Sequence, residues 1–166
     1  MTFIIQPPYL VVLFRNKIES MYPRIVSARE AVKIIQSNNR VFVHGSAATP
    51  QLLLKALARR ASELKNVELV AVSTLGELEL AKPEYAESFY INSLFVSENI
   101  RSAINSGRGN YIPIFLSEIS KLFEKDIMPL DVALLHVSPP DKHGLCSLGV
   151  SVDVARAAAK FAKHII

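Results

Sequence analysis

From residue 27 onward, short β-branched and apolar runs take turns with capped, amphipathic helical stretches. That alternation limits how this 166-residue chain can fold more than any other feature. Strands met in this order need crossover helices, so they pair in parallel and are covered on both sides. The expected fold is therefore α/β, a mainly parallel sheet with helices on both faces. Ser27-Ala28-Arg29-Glu30 reads as a capping box, with Ala31, Ile34 and Ile35 on one helical face. Arg40 to His44 reads as a short buried strand. Thr49 can cap the next helix, with Pro50 at its first position and Leu53, Leu54, Leu57 and Leu64 inward as far as about Lys65. Val67 to Ser73 and Ser88 to Val96 are two further strands. Ser97 caps a helix ending near Ser106, where Gly107 suits a left-handed C-terminal position. A shorter helix starts at Ser117, Asp131 to Val137 is a strand, and Ser151 caps the last helix. Lys163-His164-Ile165-Ile166 then looks like the entrance to another strand, which suggests a fragment of a longer protein.

Charge and composition remove several function classes. Residues 1–40 hold six Lys/Arg against two acids, while residues 41–166 hold thirteen of each sign, so the net charge of +4 sits in the N-terminal quarter. The body therefore lacks the basic stripe with interleaved aromatic platforms that nucleic-acid binding requires. Half the residues are hydrophobic and a fifth charged, which excludes disorder. The single cysteine, Cys146, excludes an internal disulfide and fits a reducing compartment. No apolar run reaches the ~18 residues a bilayer demands, so no membrane partner is expected. Residues 1–21 stand apart. Their apolar stretch is broken by Gln6-Pro7-Pro8 and followed by Arg15 and Lys17, the reverse of a secretory signal. They read as an N-terminal extension, or a strand lying on a body that spans residues 22–166. The expected compartment is the cytoplasm, or the mitochondrion in a eukaryote.

Parallel sheets bind ligands at the carboxyl ends of their strands, and the two most informative loops fall there. In VFVHGSAATP (41–50), a strand runs through the small residues Gly45 and Ser46 into a helix start, exposing backbone N–H groups to anions or carbonyl oxygens. With one glycine and no following lysine, it is neither a Walker loop nor a dinucleotide fingerprint. His44 either polarises a ligand carboxylate or is a hydrogen-bonded structural histidine beside a tight turn. The second loop, Ser138 to Gly149, is stiffened by Pro139 and Pro140 and carries His143, Cys146 and Ser147. Its G-x-x-S-x-G spacing departs from the G-x-S-x-G nucleophile elbow, which argues against a serine hydrolase. Cys146 near His143 is either a thiol nucleophile or a small residue lining a pocket. His143-x-x-Cys146 has zinc-like spacing, but His44, His136 and His164 are too distant in sequence to complete a site, so no metal is expected. Ser106 to Asn110 could cradle phosphate through Arg108 or merely end a helix. Glu98 and Glu118 sit in first helical turns, where carboxylates complement the helix dipole.

At these same residues the chain resembles a known family. VFVHGSAATP (41–50), NSLFV with Asn99 (92–99), Tyr111-Ile112-Pro113 to Glu118, Pro129 to Ala133 and above all VSPPDKHGLCSLGVSVDVA (137–155) are similar to the N-terminal domain of the acetyl-CoA hydrolase/4-hydroxybutyrate CoA-transferase family. The resemblance covers residues 22–166 and implies a NagB/RpiA/CoA-transferase-like domain, one of two similar α/β domains. Such proteins move CoA between short-chain carboxylic acids such as acetate or 4-hydroxybutyrate, or hydrolyse an acyl-CoA, with coenzyme A as substrate and no permanently bound cofactor. A glutamate forms an acyl-glutamyl anhydride and then a glutamyl-CoA thioester. The resemblance puts that glutamate in the C-terminal domain, supplied in cis or in trans; no glutamate here matches it, so no catalytic residue is expected in this chain and the chain alone is expected to be inactive. The expected partners are acyl-CoA, a short-chain carboxylate, the C-terminal domain and further copies in a homo-oligomer. His44, Gly45 and Ser46, with Ser138, Pro139, His143, Cys146 and Ser147 beside them, are the expected substrate-binding residues. Ala71-Val72-Ser73-Thr74 departs from the family, whose members tend to have a more polar, His-containing stretch there. A mean hydropathy of +0.26 is high for a free-standing domain and favours half of a larger protein. The alternative is a non-catalytic α/β module that binds a ligand or a subunit.

Overall fold

Strands that are apolar on both sides must be covered on both sides, and that requirement organises the molecule. The computed structural model describes residues 4–5, 10–15, 24–143 and 145–166. Three short strands come first: β1 (Ile4–Ile5), β2 (Leu10–Arg15) and β3 (Arg24–Val26). Six more follow, β4 (Arg40–Val43), β5 (Val67–Ala71), β6 (Phe89–Ser93), β7 (Gly109–Tyr111), β8 (Val132–Leu134) and β9 (His164–Ile165). These six form a parallel sheet in the order β9-β8-β4-β5-β6-β7. Strand β2 pairs antiparallel with β9, through Phe14 opposite Ile165, and earlier along its length with β1 and β3, Val11 standing opposite both Ile4 and Val26. The stretch read as an extension or a strand on the body thus contributes a sheet strand.

Side chains alternate between two apolar layers. Val41 and Val43 join Val67, Leu69, Ile91, Val132 and Leu134 on one face, beneath helices α1 (Ala28–Ala31), α2 (Gln51–Ala58) and α3 (Glu98–Asn105). Phe42, Val70, Ala133 and Leu135 point the other way, onto α4 (Leu116–Glu124) and α5 (Ala155–Phe161). The Phe42 and Phe123 rings meet edge to face, their centroids 5.8 Å apart, a geometry favoured by the ring quadrupoles. Helices on both faces, as expected, follow from the path of the chain. It steps outward from β4 through β5 and β6 to β7, then returns to place β8 and β9 on the other side of β4.

Several local expectations shift. Ser27 caps as foreseen, its Oγ accepting from the Glu30 N–H at 3.2 Å. The helix after Thr49 is shorter than its leucine spacing suggests: it ends at Ala58, a 3₁₀ turn over Ala61–Glu63 follows, and Pro50 rather than Thr49 is its cap residue. Thr49 Oγ1 is taken elsewhere, donating to the Ser46 carbonyl and accepting from the Leu75 N–H. Ser151 does not cap the last helix, which starts at Ala155; its carbonyl serves another partner described below. Ser106 to Asn110 ends α3 and enters β7. Gly107 is left-handed at φ +74°, and Arg108 donates to the Ala81 carbonyl and to Ser106 Oγ, bonds that suit the helix-end reading. Strand β7 is only three residues long, too short to leave an alternating run in the sequence.

Gly109 begins that strand under close constraint. A Cβ there would lie 2.7 Å from the Ile91 carbonyl oxygen and 2.9 Å from Ile104 Cδ1. Gly109→Ala should therefore destabilise the fold by about 1–3 kcal/mol, read as a lower urea midpoint, because a backbone oxygen cannot move aside cheaply.

Candidate functional site

An open parallel sheet splays its loops apart where the strand order reverses, and ligands bind in that crevice. Here the reversal lies between β4 and β8, neighbours in the sheet with Val43 opposite Leu134. The loop leaving β4 goes to α2 on one face; the loop leaving β8 goes to α5 on the other. His44 sits between them. Its backbone N–H continues the ladder to the Leu134 carbonyl at 2.9 Å. Its ring is fully buried, with both nitrogens engaged: Nδ1 accepts from the His136 N–H at 3.2 Å and Nε2 lies 2.6 Å from the Ser151 carbonyl. An acceptor at Nδ1 and a carbonyl facing Nε2 assign the proton to Nε2, a neutral imidazole. Burial lowers its pKa below the usual histidine value, against upward pulls from the Ser151 carbonyl and the Asp153 carboxylate. Of the two readings of His44, the hydrogen-bonded histidine beside a tight turn is the arrangement found. No ring nitrogen is left over for a ligand.

The next residues bring two loops into contact. At Gly45 a Cβ would stand 3.0 Å from the Ser73 carbonyl and 3.4 Å from Asp153 Oδ2, so a side chain there would press the loops apart. Ser46 is left-handed at φ +49°, a region sparsely used by residues other than glycine. It is held there by its N–H to the Ser73 carbonyl at 3.0 Å and by its Oγ, 2.9 Å from Ser73 Oγ. One further knot joins the loops after β5 and β6. Ser97 Oγ donates to Asn99 Oδ1 at 2.7 Å and accepts from the Thr74 N–H at 3.3 Å, while Asn99 Nδ2 donates to the Gly76 carbonyl at 2.9 Å. Ser97 occupies the cap position of α3 as expected, but its hydroxyl serves these loops and no helix N–H.

The segment after β8 is shaped by its own bonds. The Ser138 N–H donates to the Ser147 carbonyl and the Ser147 N–H to Ser138 Oγ, both at 2.9 Å. At the tip, Asp141 Oδ1 accepts from the N–H groups of His143 and Leu145 at 2.8 and 2.9 Å. Pro139 and His143 are exposed, Ser138 and Cys146 half-buried. Gly144, part of the glycine–serine spacing noted above, lies outside the described residues. Burial, with the Asp141 carboxylate adding to it, pushes the Cys146 thiol up to about 11. A thiol so raised is protonated at neutral pH, which suits a lining residue better than a nucleophile. Among the described residues no three His, Cys, Asp or Glu side chains are grouped to hold a metal.

The structure thus brings His44, Gly45 and Ser46 to one loop and Ser138, Pro139, His143, Cys146 and Ser147 to another, joined at the base by the His44 ring. It adds Ser73, Asp153 and the backbone of His136 and Ser151, which sequence reading did not place there. Ser73 carried a partial signal, a hydroxyl residue at the end of a predicted strand.

This is the architecture of a CoA-transferase-like α/β domain, with two loops tied together at the point where the sheet reverses. The chain belongs to the acetyl-CoA hydrolase/transferase N-terminal domain family, whose model matches residues 12–166. It is 46% identical over 139 residues to a succinyl-CoA:acetate/propanoyl-CoA:succinate CoA transferase of Fasciola hepatica, covering 82% of this chain and 29% of that protein. It is 38% identical over 143 residues to a 4-hydroxybutyrate coenzyme A transferase of Clostridium kluyveri, covering 86% of this chain and 33% of the relative. The crystal structure of RipA from Yersinia pestis superposes with a TM-score of 0.76 at 29% identity, over 83% of this chain and 34% of that one. The chain therefore spans about a third of the length of these relatives. Among the described residues no helix is long and apolar enough to cross a membrane.

Two measurements check this site. Alkylation of Cys146 at about pH 8 should run about 100-fold slower than that of an unperturbed thiol, because the thiolate fraction falls with the raised pKa. The second concerns His44. The unfolded ring titrates near 6.5 and the folded one lower, so between those values the unfolded state binds more protons. Stability contributed by the neutral ring is present above that window and is lost as pH falls through it. Urea midpoints should show this slope in the wild type and a flatter one in His44→Gln.

Proposed function

We propose that this chain is the N-terminal half of an enzyme that transfers CoA between short-chain carboxylic acids, or hydrolyses an acyl-CoA. The observation that carries the reading is the family match over residues 12–166, reinforced by two CoA transferases among the relatives. In this reading a glutamate on a second domain, in cis or in trans, attacks the thioester carbonyl and expels CoA as thiolate, leaving an acyl-glutamyl anhydride. The thiolate attacks the glutamyl carbonyl and releases the first carboxylate, leaving a glutamyl-CoA thioester. An acceptor carboxylate reverses both steps and departs as a new acyl-CoA; water in its place gives hydrolysis.

The part of this chain is one wall of the cleft. Gly45 and Ser46, held in place by the buried His44 ring, and the 138–147 loop (Ser138, Pro139, His143, Cys146, Ser147) would face the acyl or carboxylate group. Donors there would stabilise the oxyanion that develops as the anhydride forms and collapses. Coenzyme A is substrate in this scheme and no resident cofactor is invoked. The second domain would cover the apolar rim at this end of the sheet, where Leu75, Phe95, Phe115, Leu145 and Val150 are each more than half exposed on loops. The whole enzyme would work as a homo-oligomer in the cytoplasm, or in the mitochondrion of a eukaryote.

The full-length protein, incubated with acetyl-CoA or succinyl-CoA, should gain the mass of CoA less water and should exchange CoA with a free carboxylate. The present chain alone should do neither. If the full-length protein shows no adduct, no exchange and no hydrolysis, while still binding an acyl-CoA or a partner subunit, the chain is a binding module and the proposal fails.

A further inference from the structure

A long loop needs its ends held if its tip is to face a ligand in one place, and the loop after β8 is held in an economical way. The Ser138–Ser147 and Asp141 bonds shape its middle and tip but do not fasten it to the sheet. Val137 and Leu148 pack on the Phe42 layer, and the hydrogen bonds that fasten the loop lie at its base. The entering residue, His136, gives its N–H to one nitrogen of His44, and the leaving residue, Ser151, gives its carbonyl to the other. The residues that follow His44 in sequence, Gly45 and Ser46, belong to the opposing wall. One imidazole thus bonds both ends of one loop and is covalently part of the other.

We infer that His44 is a positioning residue, which sets the spacing and orientation of the 44–49 loop against the 136–151 loop without itself touching the reacting groups. The inference rests on the proposed CoA chemistry only for what the cleft does; the tie is a matter of geometry. Two titratable neighbours face the ring, the Asp153 carboxylate from the segment before α5 and the His136 imidazole from the end of β8. A proton added at Nδ1 turns an acceptor into a donor aimed at the His136 N–H, so acid should release the base of the loop.

Amide hydrogen exchange of the full-length protein tests the tie, comparing residues 136–151 with β5 in the core. His44→Ala should speed exchange across 136–151 by about tenfold or more and leave β5 unchanged. His44→Gln, whose amide reaches as far as Nε2 and can still donate to Ser151, should loosen the loop by less. In the wild type, exchange corrected for the intrinsic amide rate should rise in the loop alone between about pH 7.5 and about pH 5.5. His136→Gln, which keeps the backbone donor, should retain that response and His44→Gln should lose it. Turnover of CoA exchange should fall with the degree of loosening, most in His44→Ala and less in His44→Gln. A uniform rise over the whole chain, or an unchanged loop in a folded variant, overturns the inference. So does a loosened loop with wild-type kinetic constants. Should His44→Ala fail to fold, His44→Gln and the acid response of the wild type decide. If the full-length protein exchanges no CoA at all, the function proposed above fails while the exchange comparison still tests the tie.

Discussion

Two hydrogen bonds to one buried imidazole govern the end of the sheet where β4 and β8 part company. Parallel strands that diverge into loops on opposite faces leave backbone donors and acceptors facing a gap, and a buried group left unpaired costs about 1–3 kcal/mol. The His44 ring fills the gap and meets one donor and one acceptor there. A smaller apolar side chain would orphan both. The same ring must be neutral to do this, and its burial keeps it so.

The two ends of the sheet are built from different chemistry. At the amino ends, Arg40 pairs with Glu68 at 2.7 Å and Lys163 with Asp131 at 2.7 Å, while Asp131 also accepts from the Arg40 N–H. At the carboxyl ends the partners are mostly hydroxyls and amides: Ser46 with Ser73, Thr49 with Leu75, Thr74 with Ser97 and Asn99. Hydroxyls can switch between donating and accepting, so a polar ligand can enter such a network without leaving a fixed charge unpaired. The apolar rim around those loops gives that end a second surface to cover.

The family motif and the physical reading converge on the same loops for different reasons. Gly45 is needed because the Ser73 carbonyl comes within van der Waals reach of the missing Cβ. Ser147 sits where it can close a small ring of bonds with Ser138. Gly45 and Ser147 thus have structural tasks in addition to any contact with substrate.

What the sequence determined by itself was the order and type of the main elements. Alternating β-branched runs and capped amphipathic stretches are local signals, set by side-chain period and by which residues tolerate a helix end. They were enough for an α/β fold with two loops at the carboxyl ends of its strands. Short or tertiary features were not local. Strand β7 exists because β6 offers it an edge, and Thr49 does not cap the helix that follows because its hydroxyl is bound to Ser46 and to a loop that comes from β5. Ser151, a plausible helix cap by its neighbours, is drawn off to His44 from 107 positions away. The role of His44 itself was open in the sequence, since a histidine after a strand can serve a ligand or a backbone with equal ease. Only the tertiary structure decided it, by bringing His136 and Ser151 to opposite sides of one ring.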